Sequence, residues 1–360
     1  MAKVMILAGG TGGHVFPALA VANWLRSHGH QVNWMGTLKG LEARVVPEAG
    51  FELDTLAISG LRGAGLAAKL KAPGMLAQAL IQAQKHLRRR RPEVVLGMGG
   101  FVAGPGSLAA IGAGIPLVIH EQNRVPGATN RFLARWARRV LEAFPGTFAE
   151  RFRPCWTGNP LRREIEELGD KGEESFASMR PVRILVLGGS QGAKALNEVV
   201  PQALADLAGR IEVWHQTGAD MQAQVSEVYR KASVAARVEA FIGDMGAAYS
   251  FADLAICRAG AMTVSELAAA GLGAILVPYP YAVDDHQTRN AEYLVERGAA
   301  WLLPQQELNP AKLRGLVIEV LAQPARLQSM GKAARKAARL DATETVARIC
   351  LEEAEKWCPS

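Results

Sequence analysis

The 360-residue chain is predicted to fold as two α/β domains, each a doubly wound parallel sheet. Three observations point there. Short apolar, β-branched runs alternate with helical patterns in both halves, a charged stretch interrupts the alternation near the middle, and a glycine-rich loop directly follows the leading strand of each half.

In the first half, strands are read at Lys3 to Ala8, Gln31 to Gly36, Val94 to Met98, Pro116 to His120 and Arg139 to Ala143. The alternation restarts with Val182 to Leu187, Ile211 to Thr217, Val238 to Ile242, Leu254 to Cys257 and Ala274 to Val277. Between them Glu164, Glu166, Glu167, Asp170, Lys171, Glu173 and Glu174 have the composition of a linker or an exposed helix. This places the boundary near residue 160, with domains over 1–160 and 161–340. The Ala-, Lys-, Arg- and Glu-rich end reads as helices, and a final helix over 341–360 could return to the first domain.

Length and composition allow two full hydrophobic cores: 49% hydrophobic and 21% charged residues are ordinary for a soluble globular protein and suggest neither wholesale disorder nor a polytopic membrane protein. Cys155, Cys257, Cys350 and Cys358 form no C-x-x-C pair and read as free thiols of a reducing compartment. Met1 passes straight into a strand, so the expected location is cytoplasmic. The most apolar stretch, Phe101 to Ile119, is broken by Pro105 and Pro116, and no transmembrane helix is expected.

A formal charge of +7 favours an anionic partner. Much of it lies in Lys69, Lys71, Lys85, His86, Arg88, Arg89, Arg90 and Arg91, mixed with Leu66, Leu70, Met75, Leu76, Leu80 and Ile81. That mixture suits anionic lipid headgroups rather than nucleic acid, with Met75, Leu76, Leu80 and the four arginines as the membrane surface. A solvated helix end with its apolar side in the core is the alternative.

Three loops share one design: Gly9-Gly10-Thr11-Gly12-Gly13-His14, Gly97-Met98-Gly99-Gly100-Phe101 and Gly188-Gly189-Ser190-Gln191-Gly192-Ala193. Glycine permits close backbone approach, and the helix that follows offers unpaired N–H groups to an anion, although tight βα turns also need glycine for packing alone. A Walker A loop is excluded, because Lys194 follows Ala193 and precedes Ala195. A dinucleotide site is disfavoured, since the first loop reads G-x-G-G and the second strand ends Trp34-Met35-Gly36-Thr37 without a ribose-binding acid. In Arg258 to Glu266, small residues open a helix that could receive a diphosphate, and the Glu266 carboxylate could accept from both hydroxyls of a ribose. A solvent-facing Glu266 is the alternative, though Met262 and Ala270 give it no basic partner one turn away.

With these residues the chain resembles the MurG family of N-acetylglucosaminyltransferases over nearly its whole length. The resemblance rests on Gly9 to Pro17, Ser59 to Gly63, Gly97 to Pro105, His120-Glu121-Gln122-Asn123, Gly158 to Arg162, Gly188 to Ala193, Arg258 to Gly271 and Asp284 to Gln287. It implies a GT-B fold of two Rossmann-like domains facing a cleft. The donor nucleotide would lie mainly on the second domain and the lipid acceptor on the first. It further implies that Ser190 meets the donor phosphates, that Ile242 pairs its backbone with uracil, and that Ala261, Met262, Thr263, Val264, Ser265 and Glu266 hold phosphates and ribose. Asn123 and Gln287 would contact the N-acetylglucosamine, though Asn123 could instead cap the following helix and Gln287 could simply be exposed. Thr11, Gly12 and Gly13 would close on the donor from the other domain, with Arg162 near the hinge. Ala64 and Phe101 depart from the lysine and tyrosine often found in relatives.

The implied reaction transfers N-acetylglucosamine from UDP-N-acetylglucosamine to the 4-hydroxyl of the muramoyl sugar of lipid I, with inversion, giving lipid II and UDP in peptidoglycan synthesis. The setting would be the cytoplasmic face of the bacterial inner membrane, with anionic lipids as partners. His14 is the candidate base, at a helix start that disfavours imidazolium, and phosphate binding or loop packing is its other possible role. Glu121 is the fallback. Helix dipole and backbone N–H groups would stabilise the leaving diphosphate, so neither cofactor nor metal is expected. A two-domain Rossmann oxidoreductase and a non-catalytic membrane scaffold that binds the nucleotide sugar are the competing classes.

Overall fold

The computed structural model describes residues 1–58, 66–168, 180–189 and 192–357, with the backbone alone at 66–71 and 283. Ser59 to Gly63, Ala64, Asp170 to Glu174, Ser190 and Cys358 lie outside the described residues. Contacts divide the chain into unit 1, Met1–Arg162 with Arg339–Ser360, and unit 2, Arg163–Ala338.

Unit 1 is built on the strands β1 (Lys3–Leu7), β2 (Gln31–Gly36), β3 (Leu53–Thr55), β4 (Val94–Gly97), β5 (Leu117–Glu121), β6 (Arg139–Glu142) and β7 (Cys155–Trp156). They form a parallel sheet in the order β3-β2-β1-β4-β5-β6-β7. Its faces are covered by helices, and so Val4, Ile6, Leu96 and Val118 point into one core while Met5, Leu7, Val95 and Ile119 point into the other. The first core includes Val15, Leu19 and Leu25 of helix Gly12–Ser27. It also takes in Val346, Ile349 and Cys350 of helix Ala342–Glu355, so the last helix completes the hydrophobic layer of unit 1.

Unit 2 carries β8 (Val182–Leu187), β9 (Ile211–Gln216), β10 (Ala235–Glu239), β11 (Leu254–Cys257), β12 (Gly273–Leu276) and β13 (Ala300–Leu302). Its parallel order β10-β9-β8-β11-β12-β13 repeats the pattern of unit 1. In each sheet the strand order reverses beside the leading strand, between β1 and β4 and between β8 and β11.

Two departures from expectation concern edge strands. β3, β7 and β13 are only two or three residues long and carry no apolar run that marks them in sequence. β10 lies at Ala235–Glu239 rather than Val238 to Ile242, pairing Ala235 with Glu212. It is an edge strand, half solvated, and tolerates Arg237 and Glu239; the apolar pair Phe241-Ile242 belongs to the loop beyond it.

The basic helix Leu66–Arg90 corrects part of the membrane expectation. Arg90 donates through Nε and Nη2 to the buried Asp54 carboxylate (2.8 and 2.9 Å), and Arg89 pairs with the same carboxylate. Arg90 also pairs with Glu52. These two arginines pin the helix end to β3, and a paired charge contributes little attraction to a lipid surface. Arg88 and Arg91 are exposed, as are Leu76 and Ile81, while Met75 and Leu80 are half-buried. Among the described residues no helix is long and apolar enough to cross a membrane.

Each sheet also carries a fully buried histidine, His120 in β5 and His215 in β9. Burial pushes His120 down to about 4, against the smaller opposing effects of the Gly158 carbonyl and Glu121. Burial likewise pushes His215 down to about 3. Both are neutral in the native state over a range where the unfolded chain, with histidine near 6.5, binds protons. Stability from these groups is therefore full above about pH 6.5 and is lost as the pH falls toward 4, by up to ~1.4 kcal/mol per pH unit for each histidine. Urea midpoints should fall between neutral pH and pH about 5; equal midpoints would show that neither histidine is held neutral.

Candidate functional site

Beside a reversal in strand order, the loops leaving the carboxyl ends of neighbouring strands diverge and leave a crevice. In unit 1 the two loops there are Ala8 to Thr11, after β1, and Met98 to Val102, after β4. Gly10, Gly99 and Gly100 all have positive φ (96°, 93° and 84°). A side chain at Gly100 would sit 2.2 Å from the Gly9 carbonyl oxygen, so the loops touch backbone to backbone. Glu42, fully buried, secures the first loop. Its Oε2 accepts from the Gly10 N–H (2.9 Å), and its Oε1 accepts from the N–H and hydroxyl of Thr37 (2.9 and 2.7 Å).

His14 lies in the first turn of helix Gly12–Ser27, half-exposed, its ring resting on Gly99, where an added Cβ would be 2.9 Å from the imidazole. Its Nδ1 is 2.9 Å from Oε1 of Gln122, and Nε2 of that amide is 3.1 Å from Nδ1 of His120. His120 Nε2 in turn donates to the Gly158 carbonyl (2.9 Å). Thr11 is exposed at the N-cap, with Gly12 and Gly13 in the first turn. Phe101 is 49% exposed at the end of the second loop.

Glu121 is 2% exposed and its carboxylate is filled. Oε1 accepts from the N–H and side-chain amide of Asn123 (3.1 and 3.2 Å), and Oε2 from the Gly127 N–H and the Asn130 amide (3.0 and 2.9 Å). Four donors to one buried carboxylate make Glu121 the anchor of the 123–130 loop and remove it as an accessible base. Asn123 is half-exposed and does not cap helix Ala128–Leu133, whose N-cap is Gly127. Arg162 ends the first segment of unit 1, its guanidinium 5.8 Å from the centre of the Phe16 ring.

Unit 2 holds a cavity of about 470 Å³ at its own reversal point. Gly188, Gly189, Gly192 and Lys194 line it after β8, Arg258, Gly260 and Thr263 after β11, and Tyr279 and Gln287 after β12. Two helices, Lys194–Leu204 and Ala261–Ala269, begin at its wall. Their free N–H groups and positive dipole ends, with the half-buried Arg258 guanidinium, suit a diphosphate. Arg258 is held by the Val277 and Pro278 carbonyls (both 3.1 Å) and by Gln305 Oε1 (2.6 Å), which fix its direction.

Of the residues expected to bind donor, Thr263 and Gln287 line this cavity together; Gln287 Oε1 also accepts from the Tyr279 N–H (2.9 Å). Ala261 and Val264 are buried, and Met262, Ser265 and Glu266 are half-exposed along the same helix. Glu266 is partnered on one side, where the buried Tyr249 hydroxyl donates to its Oε2 (2.9 Å). Ile242 lies outside the cavity lining, 1% exposed, with its N–H committed to Gln216 Oε1 (2.9 Å). Gln216 Nε2 donates to the Gly189 carbonyl (2.8 Å), coupling the Ile242 loop to the glycine loop. Gln122 and His120 stand in a motif that sequence marks, whereas Glu42, Tyr249 and Gln216 are separated by 32, 17 and 26 residues from the groups they hold and leave no local signal.

Residues 4–142 match the glycosyltransferase family 28 N-terminal domain, and residues 183–346 match the family 28 C-terminal domain. The chain is 59% identical over 353 residues to the UDP-N-acetylglucosamine--N-acetylmuramyl-(pentapeptide) pyrophosphoryl-undecaprenol N-acetylglucosamine transferase of Methylococcus capsulatus, covering 98% of this chain and 99% of that protein. It is 53% identical to the transferase of the same name from Nitrosococcus oceani, with the same coverage. The crystal structure of Acinetobacter baumannii MurG superposes with a TM-score of 0.83 at 39% identity, covering 98% of this chain and 100% of that one. Two doubly wound parallel-sheet domains with this arrangement of strands and loops, matched from end to end, define a GT-B glycosyltransferase, and the chain belongs to the MurG family of N-acetylglucosaminyltransferases.

Proposed function

We propose that the chain transfers N-acetylglucosamine from UDP-N-acetylglucosamine to the 4-hydroxyl of the muramoyl sugar of lipid I, with inversion, releasing UDP and forming lipid II. The observation that carries the reaction is the end-to-end 59% identity to a transferase named for it. The site residues supply the means. The donor diphosphate occupies the unit 2 cavity, against the N-termini of helices Lys194–Leu204 and Ala261–Ala269 and beside Arg258. Glu266, steadied by Tyr249, accepts from the ribose hydroxyls, and Gln287 contacts the sugar.

As the acceptor oxygen bonds to the anomeric carbon, its proton passes to His14 and the sugar–phosphate bond breaks. The electron pair of that bond leaves on the β-phosphate of UDP, where the helix N–H groups and Arg258 meet the new charge. The acceptor lies on unit 1 beside His14. Purified enzyme with UDP-N-acetylglucosamine and a lipid I analogue should release UDP and the extended lipid in equal amounts; binding without turnover would favour a scaffold. His14→Ala should lower kcat by about 100- to 10,000-fold with UDP affinity little changed. A variant that keeps more than about a third of kcat would end the base assignment.

Glu266→Ala should raise the UDP dissociation constant at least about tenfold, the loss of a charge-assisted acceptor worth roughly 1.5–3 kcal/mol. Tyr249→Phe should raise it by a smaller factor, through orientation alone. Calorimetry showing wild-type affinity in Glu266→Ala, with the fold intact, would remove the ribose contact.

The enzyme works on the cytoplasmic face of the inner membrane as a peripheral protein on anionic lipid. Leu76 and Ile81 are its exposed apolar contacts, and Arg88 and Arg91 its available charges. Each basic residue near an anionic surface adds roughly 1 kcal/mol of attraction, screened by salt. Replacing Arg88 and Arg91 by Glu should release the protein from anionic vesicles at low salt without lowering its melting temperature. Replacing Arg89 and Arg90 should lower the melting temperature, since Asp54 would lose its partners. Equal binding to neutral and anionic vesicles would relocate the contact.

A further inference from the structure

The His14 ring is tied to the protein at one nitrogen. Nδ1 meets Gln122 Oε1 at 2.9 Å, and among the described residues nothing hydrogen-bonds to Nε2. Which nitrogen carries the proton depends on which way the Gln122 amide faces, and that is decided further back, at two backbone carbonyls. The Gly158 carbonyl, which can only accept, takes the proton on His120 Nε2 (2.9 Å). A neutral His120 then has a lone pair on Nδ1, which requires a donor from Gln122; its Nε2 stands 3.1 Å away. The His120 carbonyl, 3.3 Å from the same nitrogen, demands a donor there as well. A reversed amide would set its oxygen against two acceptors unless His120 became a cation in a fully buried position. The amide oxygen is thereby left toward His14, and it accepts only from a protonated Nδ1.

We infer that Gly158, His120 and Gln122 form a positioning relay that holds His14 as the Nδ1–H tautomer, leaving the Nε2 lone pair as the atom that takes the acceptor proton. This rests on the reading of His14 as the base. The relay is built into the fold at both ends. Asn159 donates from Nδ2 to the Gln122 carbonyl (3.1 Å), so the loop carrying Gly158 grips the end of β5 in both directions. Gly158 has a φ of 80°, and a side chain there would lie 2.4 Å from Cβ of Arg339. The conformation that aims its carbonyl at His120 thus depends on glycine. Gly99 leaves the ring its resting place, with no side chain to tilt it away from Gln122.

Gln122 and His120 are positioning residues, because the base touches the acceptor and they do not. An amide differs from a carboxylate in this role: it selects the tautomer without a charge to stabilise the imidazolium, so the captured proton is readily passed on to solvent. The same arrangement explains why the His120-to-Asn123 and Gly158-to-Arg162 motifs, far apart in the chain, belong to one device.

The test reads the tautomer directly. Full-length protein labelled with nitrogen-15 histidine, at a pH where imidazole is neutral, should give a His14 signal with a protonated Nδ1 and an unprotonated Nε2; the signal is assigned by its disappearance in His14→Ala. Gln122→Met, similar in volume but without either polar atom, should give a mixture of tautomers. It should also lower kcat by roughly 10- to 1,000-fold while KM for both substrates changes less than about threefold, since a proton on the wrong nitrogen removes the base but not the binding. A His14 protonated on Nε2 in the unmodified enzyme overturns the relay, and that spectrum needs no variant to fold. An unchanged tautomer or unchanged kcat in Gln122→Met overturns it too. Full kcat in His14→Ala would instead overturn the base reading, and with it the catalytic value of the relay, whatever the spectrum shows.

Discussion

Both candidate crevices in this protein depend on a backbone constraint, the reversal of strand order next to the leading strand of each parallel sheet. Because parallel strands are joined through helical crossovers, β1 and β4, like β8 and β11, send their following chains away on opposite sides. Their carboxyl ends are therefore the places where side chains and helix termini can gather without filling the space between them. Glycine is needed there because the loops still come within touching distance. In unit 2 the result is a cavity walled by helix N-termini, and in unit 1 a ledge on which one imidazole lies.

Buried carboxylates holding backbone N–H groups are a recurring solution in both units. Glu42 takes the Gly10 N–H, Glu121 those of Asn123 and Gly127, Glu142 those of Gly146 and Phe148, and Asp253 that of Arg183. A buried carboxylate is costly unless its lone pairs are filled, and a loop N–H is costly unless it has an acceptor; each answers the other. Since the pairing is charge-assisted, it fixes loop geometry more tightly than neutral contacts would. Glu121 illustrates the consequence: a residue whose motif position suggests chemistry is consumed in holding its neighbours still.

Charge is used differently in the two units. Unit 2 presents positive partial charges from helix ends with one guanidinium whose own hydrogen bonds fix its direction, a preorganised environment that suits a diphosphate. Unit 1 keeps His120 neutral by burial and backs His14 with an amide, with no carboxylate at hydrogen-bonding distance among its described partners. In the proposed transfer, the sink for negative charge and the lone pair for a proton thus rest on separate structural devices.

The alternation of apolar runs with helical patterns was enough to read both parallel sheets, because central strands buried on both faces must be apolar throughout, as β4 and β11 are. The short strands β3, β7 and β13 escaped that reading, and β10 was displaced, because edge strands are stabilised by hydrogen bonds to one neighbour and need no apolar run. The glycine loops, His14 and Glu266 stood out in the sequence as candidates, since glycines at strand ends and polar groups at helix starts suit anion binding as well as packing and capping, and the His120-to-Asn123 motif stood out through the family resemblance. Their partners did not. That Arg89 and Arg90 clamp Asp54, that Tyr249 steadies Glu266, and that a carbonyl at Gly158 reaches His14 through two side chains are facts of distance in space. Sequence by itself determined which local elements form and where polar groups accumulate, because periodicity and backbone sterics act over a few residues. Only the tertiary structure decided which of those groups are spent on each other and which remain for substrate, because hydrogen bonds between residues 17 to 108 positions apart exist only after the sheets have assembled.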